Sequence, residues 1–444
     1  MANSSLQRSR TAGSTKTKFT MSMWVKKSAN NAKYLLVNYT DDSNRGLIQF
    51  GGSDEFLFQS KYSNSNNAVL STNRKFRDTS GWYHFVLIGD STLATAGDRL
   101  KLYVNGLRET SFASETQISQ DGNFYLNEAT TNGFRVGEKG DGSDFFDGYI
   151  SHFVFLDGVV AAHTEFGTTD STSGIWKFKA PSGLTFGTNG VHLKFENSAN
   201  LGLDSSGNTN NMSVNGNLKQ SPETPSNGYA TWNFLSSPSN GNIGDVTGSN
   251  GNTTTSYLAQ YRSYPATLGF KSGKWYWEVK RKTTSNDFHL GICSEKLTPA
   301  NQATWVGNTP NGWVYTGDGG QTYHGGSTQN NYATLATDDI VGVAYDADNG
   351  KLYFSKNGTW QGSSNPATGA NPAYSSLDTS LFYFPVITAG ANSETNFGNG
   401  FFGTTAVTSN SGAGEQDDAG EGKFQYDVPA GYYAVNTKNI NTYG

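Results

Sequence analysis

Almost nowhere in this chain do apolar residues recur at the 3.6-residue period of a helix. What recurs is short alternation closed by Gly, Asn, Asp or Ser, and that pattern restricts the fold to strands joined by tight turns. One unit occurs twice. WYHFVLIGD (82–90), a polar gap and DRLKLYVNG (98–106) form the first copy; IVGVAYD (340–346), a polar turn and KLYFSKNG (351–358) form the second. Each copy closes on Asn-Gly, at Asn105-Gly106 and Asn357-Gly358, which supplies the positive φ angles of a type I′ hairpin turn. The duplication predicts one central hairpin in each of two sandwiches.

Length and composition agree with an all-β chain of two domains. The 444 residues exceed one ordinary sandwich, since such domains run to about 200–250 residues. The 53 glycines show no Gly-X-Y period and therefore serve turns. Aromatics at 13% with charged residues at only 16% describe a neutral polar surface. Disorder would need the opposite balance. A net charge of −5 argues against a nucleic-acid binder, which carries a basic domain. Arg8, Arg10, Lys16, Lys18, Lys26 and Lys27 give the first 27 residues a local basic excess. It reads as an edge strand shielded by solvated charges, with contact to an acidic partner surface as the other reading.

The single cysteine, Cys293, excludes an intrachain disulfide and any cluster of cysteine ligands. Its apolar neighbours in HLGICSE predict a small buried hydrophobe rather than a reactive thiol, in a fold made in a reducing cytosol. MANSSLQRSR runs on into polar residues without the apolar core of a secretory signal. The longest apolar runs, FVLI and FVFL, fall far short of the ~18 residues that span a membrane. The expectation is synthesis in a cytoplasm, with any export by another route.

Strands are predicted at FTMSMWVKK, YLLVNY, GLIQFGG, EFLFQS, WYHFVLIG, RLKLYVNG, FRVGE and GYISHFVFLDG. In the last of these, alternation sets Ile150, His152, Val154 and Leu156 on one face and Tyr149, Ser151, Phe153 and Phe155 on the other. Both faces of that sheet then need a cover. Residues 190–228 offer one strand (VHLKFE), an Asn/Ser/Gly-rich excursion, a short strand (MSV) and the paired Pro222 and Pro225. These set a linker at 219–228 between domains 1–218 and 229–444. Beyond it strands follow at GKWYWEVKRK, DFHLGICSE, GWVYTG, DIVGVAYD, GKLYFSKN and FYFPVITAG. Trp275 and Trp277 share one strand face and read as core. The acidic, Gly-rich stretch 409–422 reads as an exposed loop, and FQYDVPAGYYAVN as a closing strand with an ordered terminus.

FTMSMWVKK, GWYHFVLIGD, DRLKLYVNG, FRVGEKG and FDGYISHFVFLDG, in that order, resemble the laminin-G/pentraxin-like branch of concanavalin A-like lectin domains. GKWYWEVK, FHLGICSE, GWVYTGDGGQTYHGG, DIVGVAYDADNGKLYFSKNGTW and FPVITAG resemble a SPRY (B30.2-like) domain. The resemblance implies two concanavalin A-like antiparallel jelly-roll sandwiches in tandem. The combination, with the ending YDVPAGYYAVNTKNI, is similar to virion structural proteins of tailed phages, especially those of marine hosts. It implies a capsid decoration, knob or tail-fibre component on the virion surface, present in multiple copies or as a homo-oligomer. Its partners would be other virion proteins and host-surface glycans, with no nucleic acid and no membrane insertion.

Such folds also host glycanases. A retaining glycosidase needs two carboxyls about 5–5.5 Å apart, and in the laminarinase-type enzymes of this fold they lie on one strand as Glu-x-Asp-x-x-Glu. No strand here carries that pattern. Glu278 and Glu196 stand alone, and Glu415-Gln-Asp417-Asp418-Ala-Gly-Glu421 has the wrong spacing. The histidines form no HExxH, and neither a Gly-x-Ser-x-Gly elbow nor a Walker-type loop is present. The sequence therefore predicts no catalytic residues and no enzyme, with a tail-associated polysaccharide depolymerase or a receptor-binding adhesin as the alternatives. A free-standing cellular lectin or SPRY adaptor is a third reading.

Two sets of candidates remain. Asp41 and Asp42 in TDDSNRG, with Asp141, Asp144 and Asp147 in GDGSDFFDG, could hold calcium through hard oxygen ligands or form hydrated Asx turns. No other cofactor is expected. Asp346-Ala-Asp348-Asn349-Gly350 lacks the glycine and glutamate of a calcium loop and reads as a turn. In the second domain Trp305, Trp313, Tyr315 and Tyr323 either present an aromatic binding surface or plug the sandwich.

Overall fold

The structure is a computed structural model describing residues 3–12, 15–28, 30, 32–236, 248–256, 262–283, 287–408 and 415–444. It is all-β and divides into two compact units, 1–220 and 221–444.

Among the described residues, the first unit packs an eight-stranded antiparallel sheet against a six-stranded one. The larger runs, in spatial order, Phe112–Thr116, Ser65–Lys75, Glu55–Tyr62, Asn44–Phe50, Lys33–Asp41, Thr130–Val136, Ser5–Arg10 and Ser213–Asn215. The smaller runs Val191–Leu193, Gly148–Asp157, Lys18–Lys27, Tyr83–Asp90, Leu100–Val104 and Leu107–Arg108. Strand alternation builds the core: Phe19, Met21, Met23 and Val25 face inward and meet Phe58, Phe85 and Phe155. Phe56 of one sheet stacks on Phe85 of the other, ring centroids 4.9 Å apart.

The basic residues near the N-terminus do not line a solvated edge. Strand Lys18–Lys27 is internal to its sheet, and Ser5–Arg10 lies between two neighbours. Lys26 and Lys27 are each 1% exposed; Lys27 pairs with Asp54 at 2.8 Å and donates to the Phe76 carbonyl. Arg10 is wholly buried with Asp157, 3.0 Å away, and lies over the rings of Phe134 and Phe155. Burial lowers its pKa to about 10, against the pull of Asp157. Asp157 also accepts from the Asn127 and Asn189 side chains and from the Asn189 N–H. A buried charge persists only when paired and hydrogen-bonded in this way.

Strict alternation fails in strand Gly148–Asp157. Its pairing with Lys18–Lys27 shifts between Ser151 and Val154, and His152 takes φ 47°. This β-bulge adds one residue and exchanges the faces. Ile150 therefore packs on the same core as Phe153 and Phe155, not with Val154 and Leu156, which line the outer face.

In the second unit, Lys274–Arg281 is flanked by Ser393–Asn396 and Ile340–Asp346; Lys351–Lys356 follows, and Tyr433–Ala434 adds in parallel to one end. The facing sheet runs Ser263–Pro265, Tyr383–Gly390, Asp287–Ser294, Gly312–Thr316, Gln321–His324 and Ser327–Asn331. Trp275 and Trp277 are fully buried between the layers. The division between the two units, at 220/221, falls within the expected linker 219–228, and the rest of that stretch is folded into the second unit. Glu223 is buried and accepts from the Tyr229 N–H, while Asn227 bonds Thr224 and Glu421. Of the expected loop 409–422, residues 409–414 lie outside the described residues. In the remainder Asp417 is buried, accepting from the backbone N–H groups of Glu421, Gly422 and Ala434 and from Asn439.

The duplicated hairpins share one closure. Asn105 donates its N–H to the His84 carbonyl at 2.9 Å and accepts the His84 N–H on Oδ1 at 2.7 Å. Asn357 does the same with Ile340, both contacts at 2.8 Å. Both asparagines have φ 48°, and Gly106 and Gly358 follow at 78° and 80°. A Cβ on either glycine would strike a ring, Trp176 in one unit and Tyr426 in the other.

Asn105→Ala or Asn357→Ala should cost about 1–3 kcal/mol, from the positive φ and the lost acceptor together. The check is a lower urea midpoint at unchanged slope. Arg10→Met, which strands Asp157 without its cation, should cost about 3–5 kcal/mol by the same measurement.

Candidate binding site

The hairpin Gly312–Thr316/Gln321–His324 sets Trp313 directly opposite His324. Their rings stack with centroids 4.5 Å apart and planes within 9°. The edge of Tyr383 fixes the indole from the core side, 5.6 Å away. His324 Nδ1 lies 3.0 Å from the Gly312 carbonyl. A carbonyl only accepts, so in the neutral ring Nδ1 carries the hydrogen and Nε2 is left as an acceptor.

This pair walls a cavity of about 570 Å³ whose polar lining includes Asn311, Gln329, Lys296 and Asp378 along with three serines. Tyr374 closes one side and donates its hydroxyl to the Val314 carbonyl at 3.2 Å. Asp378 accepts from the Ser380 hydroxyl and N–H, which holds its carboxyl below the usual range. A flat aromatic wall, two amides and one charge of each sign thus face one hollow in the surface of the second unit.

Only Trp313 of the four aromatic candidates lines this cavity. Tyr315 points to the same side of its strand but is fully buried, its hydroxyl donating to the Ala333 carbonyl. Tyr323 is paired with Val314, not with Trp313, and period-2 alternation sends it to the opposite face. There it meets Trp305 edge-on at 4.9 Å, and Trp305 meets His289 at 4.9 Å. His324, Tyr374, Asp378 and Tyr383 were missed by sequence reasoning. His324 was legible only through the register of the TGDGG hairpin, and the others come from a distant segment.

Among the described residues the five aspartates are not gathered into one group. The loops holding Asp42 and Asp141 do converge, but on the ammonium of Lys139, at 3.9 and 2.7 Å. Asp42 also pairs with Arg45 at 2.6 Å. Asp41 accepts from the Ser43 N–H and Asn44 in an Asx turn. Asp144 is exposed at φ 50°, and burial pushes the Asp147 carboxyl up to about 6. Among the described residues no three His, Cys, Asp or Glu side chains are grouped to hold a metal ion, and no helix is long and apolar enough to cross a membrane.

Groups with latent chemistry are committed elsewhere. Ser22 Oγ lies 2.9 Å from His84 Nε2. Trp176 Nε1 donates to His84 Nδ1 at 2.9 Å, so Nε2 carries the hydrogen and donates to Ser22, the reverse of a base activating a nucleophile. Cys293 is buried with Val306, Val314 and Val386, and burial pushes its thiol up. Glu278 is fully buried and accepts from the Gln425 and Tyr426 N–H groups, both at 2.9 Å, and from Tyr276 and Asn396. Desolvation pushes its carboxyl up to about 7, while these donors pull the other way.

Residues 2–164 match the family model of the concanavalin A-like lectin/glucanases superfamily, and residues 274–400 match that of the SPRY domain. This chain joins a lectin-like domain to a SPRY domain. Both are domains of binding type. Among solved structures, it is similar to the SPRY domain of human HERC1, at 17% identity and TM-score 0.28 over 34% of this chain and 91% of that one. The TRIM65 PSpry domain is similar at 17% and 0.29, over 38% and 87%. Stonustoxin is similar at 16% and 0.28, over 38% and 26%. The comparison with curated proteins gave no match.

Between about pH 4.5 and 7 the folded protein keeps a proton on Glu278 that the unfolded chain has released. Stability therefore falls as pH rises through that window, by on the order of 3 kcal/mol from this group. Glu278→Gln should remove that component, seen as a variant-minus-wild-type difference in unfolding free energy that rises by on the order of 3 kcal/mol between about pH 4.5 and 7. At the acid end of that window the variant should be less stable than wild type by about 1–3 kcal/mol, because an amide N–H would face a backbone N–H.

Proposed function

We propose that this protein is a non-enzymatic component of a virion surface, a capsid decoration, knob or fibre part. It is anchored by contacts with other virion proteins, and its SPRY domain meets host-surface glycans at the Trp313–His324 cavity. The observation that carries the glycan part is the half-buried indole stacked on His324 beside Asn311 and Gln329. An indole face offers a sugar its C–H-rich side, while amides answer hydroxyls. The domain combination supports a binding role. The virion assignment rests on the resemblance of the tandem domains and the C-terminal segment to tailed-phage structural proteins. Binding at this cavity asks for no bond to break, and its one carboxylate, Asp378, is tied to Ser380.

Gold-labelled antibody on purified particles should decorate heads or tail tips, and unlabelled particles would sink the virion reading. Purified protein should bind extracted host polysaccharide without releasing reducing sugar; release would replace this reading with a depolymerase. Trp313→Ala should weaken that binding at least tenfold, about 1.4 kcal/mol, while the thermal midpoint of the first domain stays unchanged.

A further inference from the structure

The outer face of the six-stranded sheet in the first unit is covered by a single layer of chain, residues 159–190. This segment carries a 3-10 turn, His163–Glu165, and two short paired strands, Gly167–Thr169 and Trp176–Phe178. Phe166, Leu184 and Phe186 from the segment pack on Val86, Ile88, Val154 and Leu156 of the sheet. Both ends of the segment are hydrogen-bonded to the unit, Val159 and Ala161 to Thr20, the Phe186 carbonyl to the Asp157 N–H, and Asn189 to Asp157 and Thr11. Between those ends ring contacts and the Trp176–His84 hydrogen bond fasten it to the sheet.

Four of those contacts follow one rule. Trp176 stacks on His84 (6.0 Å, 20°), Phe178 on His152 (3.8 Å, 18°), Phe186 on His192 (6.1 Å, 14°) and His163 on Tyr103 (4.0 Å, 10°). Each pair joins one ring of the segment to one ring of the sheet, and one of the two is always histidine. Trp24 lies on the other side of His84, at 4.4 Å. His152 Nδ1 and His192 Nε2 are buried without a hydrogen-bond partner among the described residues.

We propose that residues 163–186, between those hydrogen-bonded ends, form an acid-released strap, latched by neutral histidine–aromatic stacks, that lifts off the sheet when those histidines gain protons and bares its apolar outer face.

The surroundings of each ring oppose a charge. His84 faces Ser22, Trp24, Trp176 and, as its titratable neighbour, His163. Burial lowers it to about 3. His152 faces Glu196, which favours its charge, and Lys194, which opposes it; His192 faces Asp204, Lys194 and His152. Burial outweighs both carboxylates, and each ring ends at about 4. Asp204 is itself committed to the His192, Ser206 and Asn210 N–H groups. His163 is lowered by burial and shares its turn with the Glu165–Lys179 pair. A histidine freed from the stack titrates near 6.5. At pH 5 each of His84, His152 and His192 therefore favours the released form by about 30-fold, and the three together by about 10⁴-fold.

Hydrogen exchange on the full chain, corrected for the intrinsic pH dependence of amide exchange, tests this at pH 7 and pH 4.5. Peptides across 163–186 should lose protection at least tenfold at pH 4.5, while 19–25 and 85–88 keep theirs. Equal strap protection at both pH values, or strap and core opening together, would overturn the proposal. His152→Asn suits the positive φ and removes one titrating latch, so it should shrink the pH response by roughly 10–30-fold. An undiminished response in that variant would also count against the strap. Should that variant fail to fold, imidazole NMR of the wild type decides. Cε1 shifts of His84, His152 and His192 moving together with strap opening support the proposal. Independent titration near pH 6.5 with the strap still protected overturns it.

Discussion

A guanidinium removed from water must be answered by a carboxylate and by carbonyls, and in the first unit this requirement ties together elements 147 residues apart. Arg10 ends the N-terminal strand and Asp157 ends a strand of the opposite sheet. Asn127 and Asn189 complete the carboxylate's partners, so four segments meet at one buried charge pair. The geometry is demanding, because a buried ion pair with poor hydrogen bonding would cost more than it returns. The second unit repeats the solution with Arg281, fully buried against Asp318 and the Thr283 and Leu335 carbonyls. Its Asp417 and Glu278 gather the C-terminal segment through backbone N–H groups.

This use of charge leaves the surface hollow of the second unit with few charges. With only 16% charged residues and several of them buried, an indole, an imidazole and two amides line it beside Lys296 and Asp378. Its wall depends on the register of one hairpin, and a slip of one residue would turn Trp313 to the other face. Trp305 and Tyr323 occupy that other face. The aromatic richness of the segment therefore serves two functions, one lining the cavity and one sealing the sheet behind it.

The first domain uses aromatics differently. Its six-stranded sheet is apolar on both faces, and the outer one is sealed by a thin layer whose rings seat on histidines. Gly106 belongs to this seal as well as to its turn: the indole of Trp176 lies where a Cβ would stand. Tyr426 lies against Gly358 in the second domain in the same way, so the duplicated turn is in both cases a seat for a ring.

What the sequence determined was local. Alternation, Asn-Gly turns and the aromatic and glycine content specified an all-β chain with two sandwiches, because period-2 patterning and positive φ are properties of a few adjacent residues. The core roles of Trp275 and Trp277 followed from the same pattern. The tertiary structure decided what depends on partners distant in the chain. Arg10, Lys26 and Lys27 look solvated until Asp157, Asp54 and the packing around them are in place. The aspartates of two loops look like calcium ligands until Lys139 comes between them. The bulge at His152 reverses the faces of a strand whose letters alternate cleanly. Trp313 is separated from Trp305, Tyr315 and Tyr323 by strand pairing, since a side chain's face is set by register and burial, which only the assembled sheets supply.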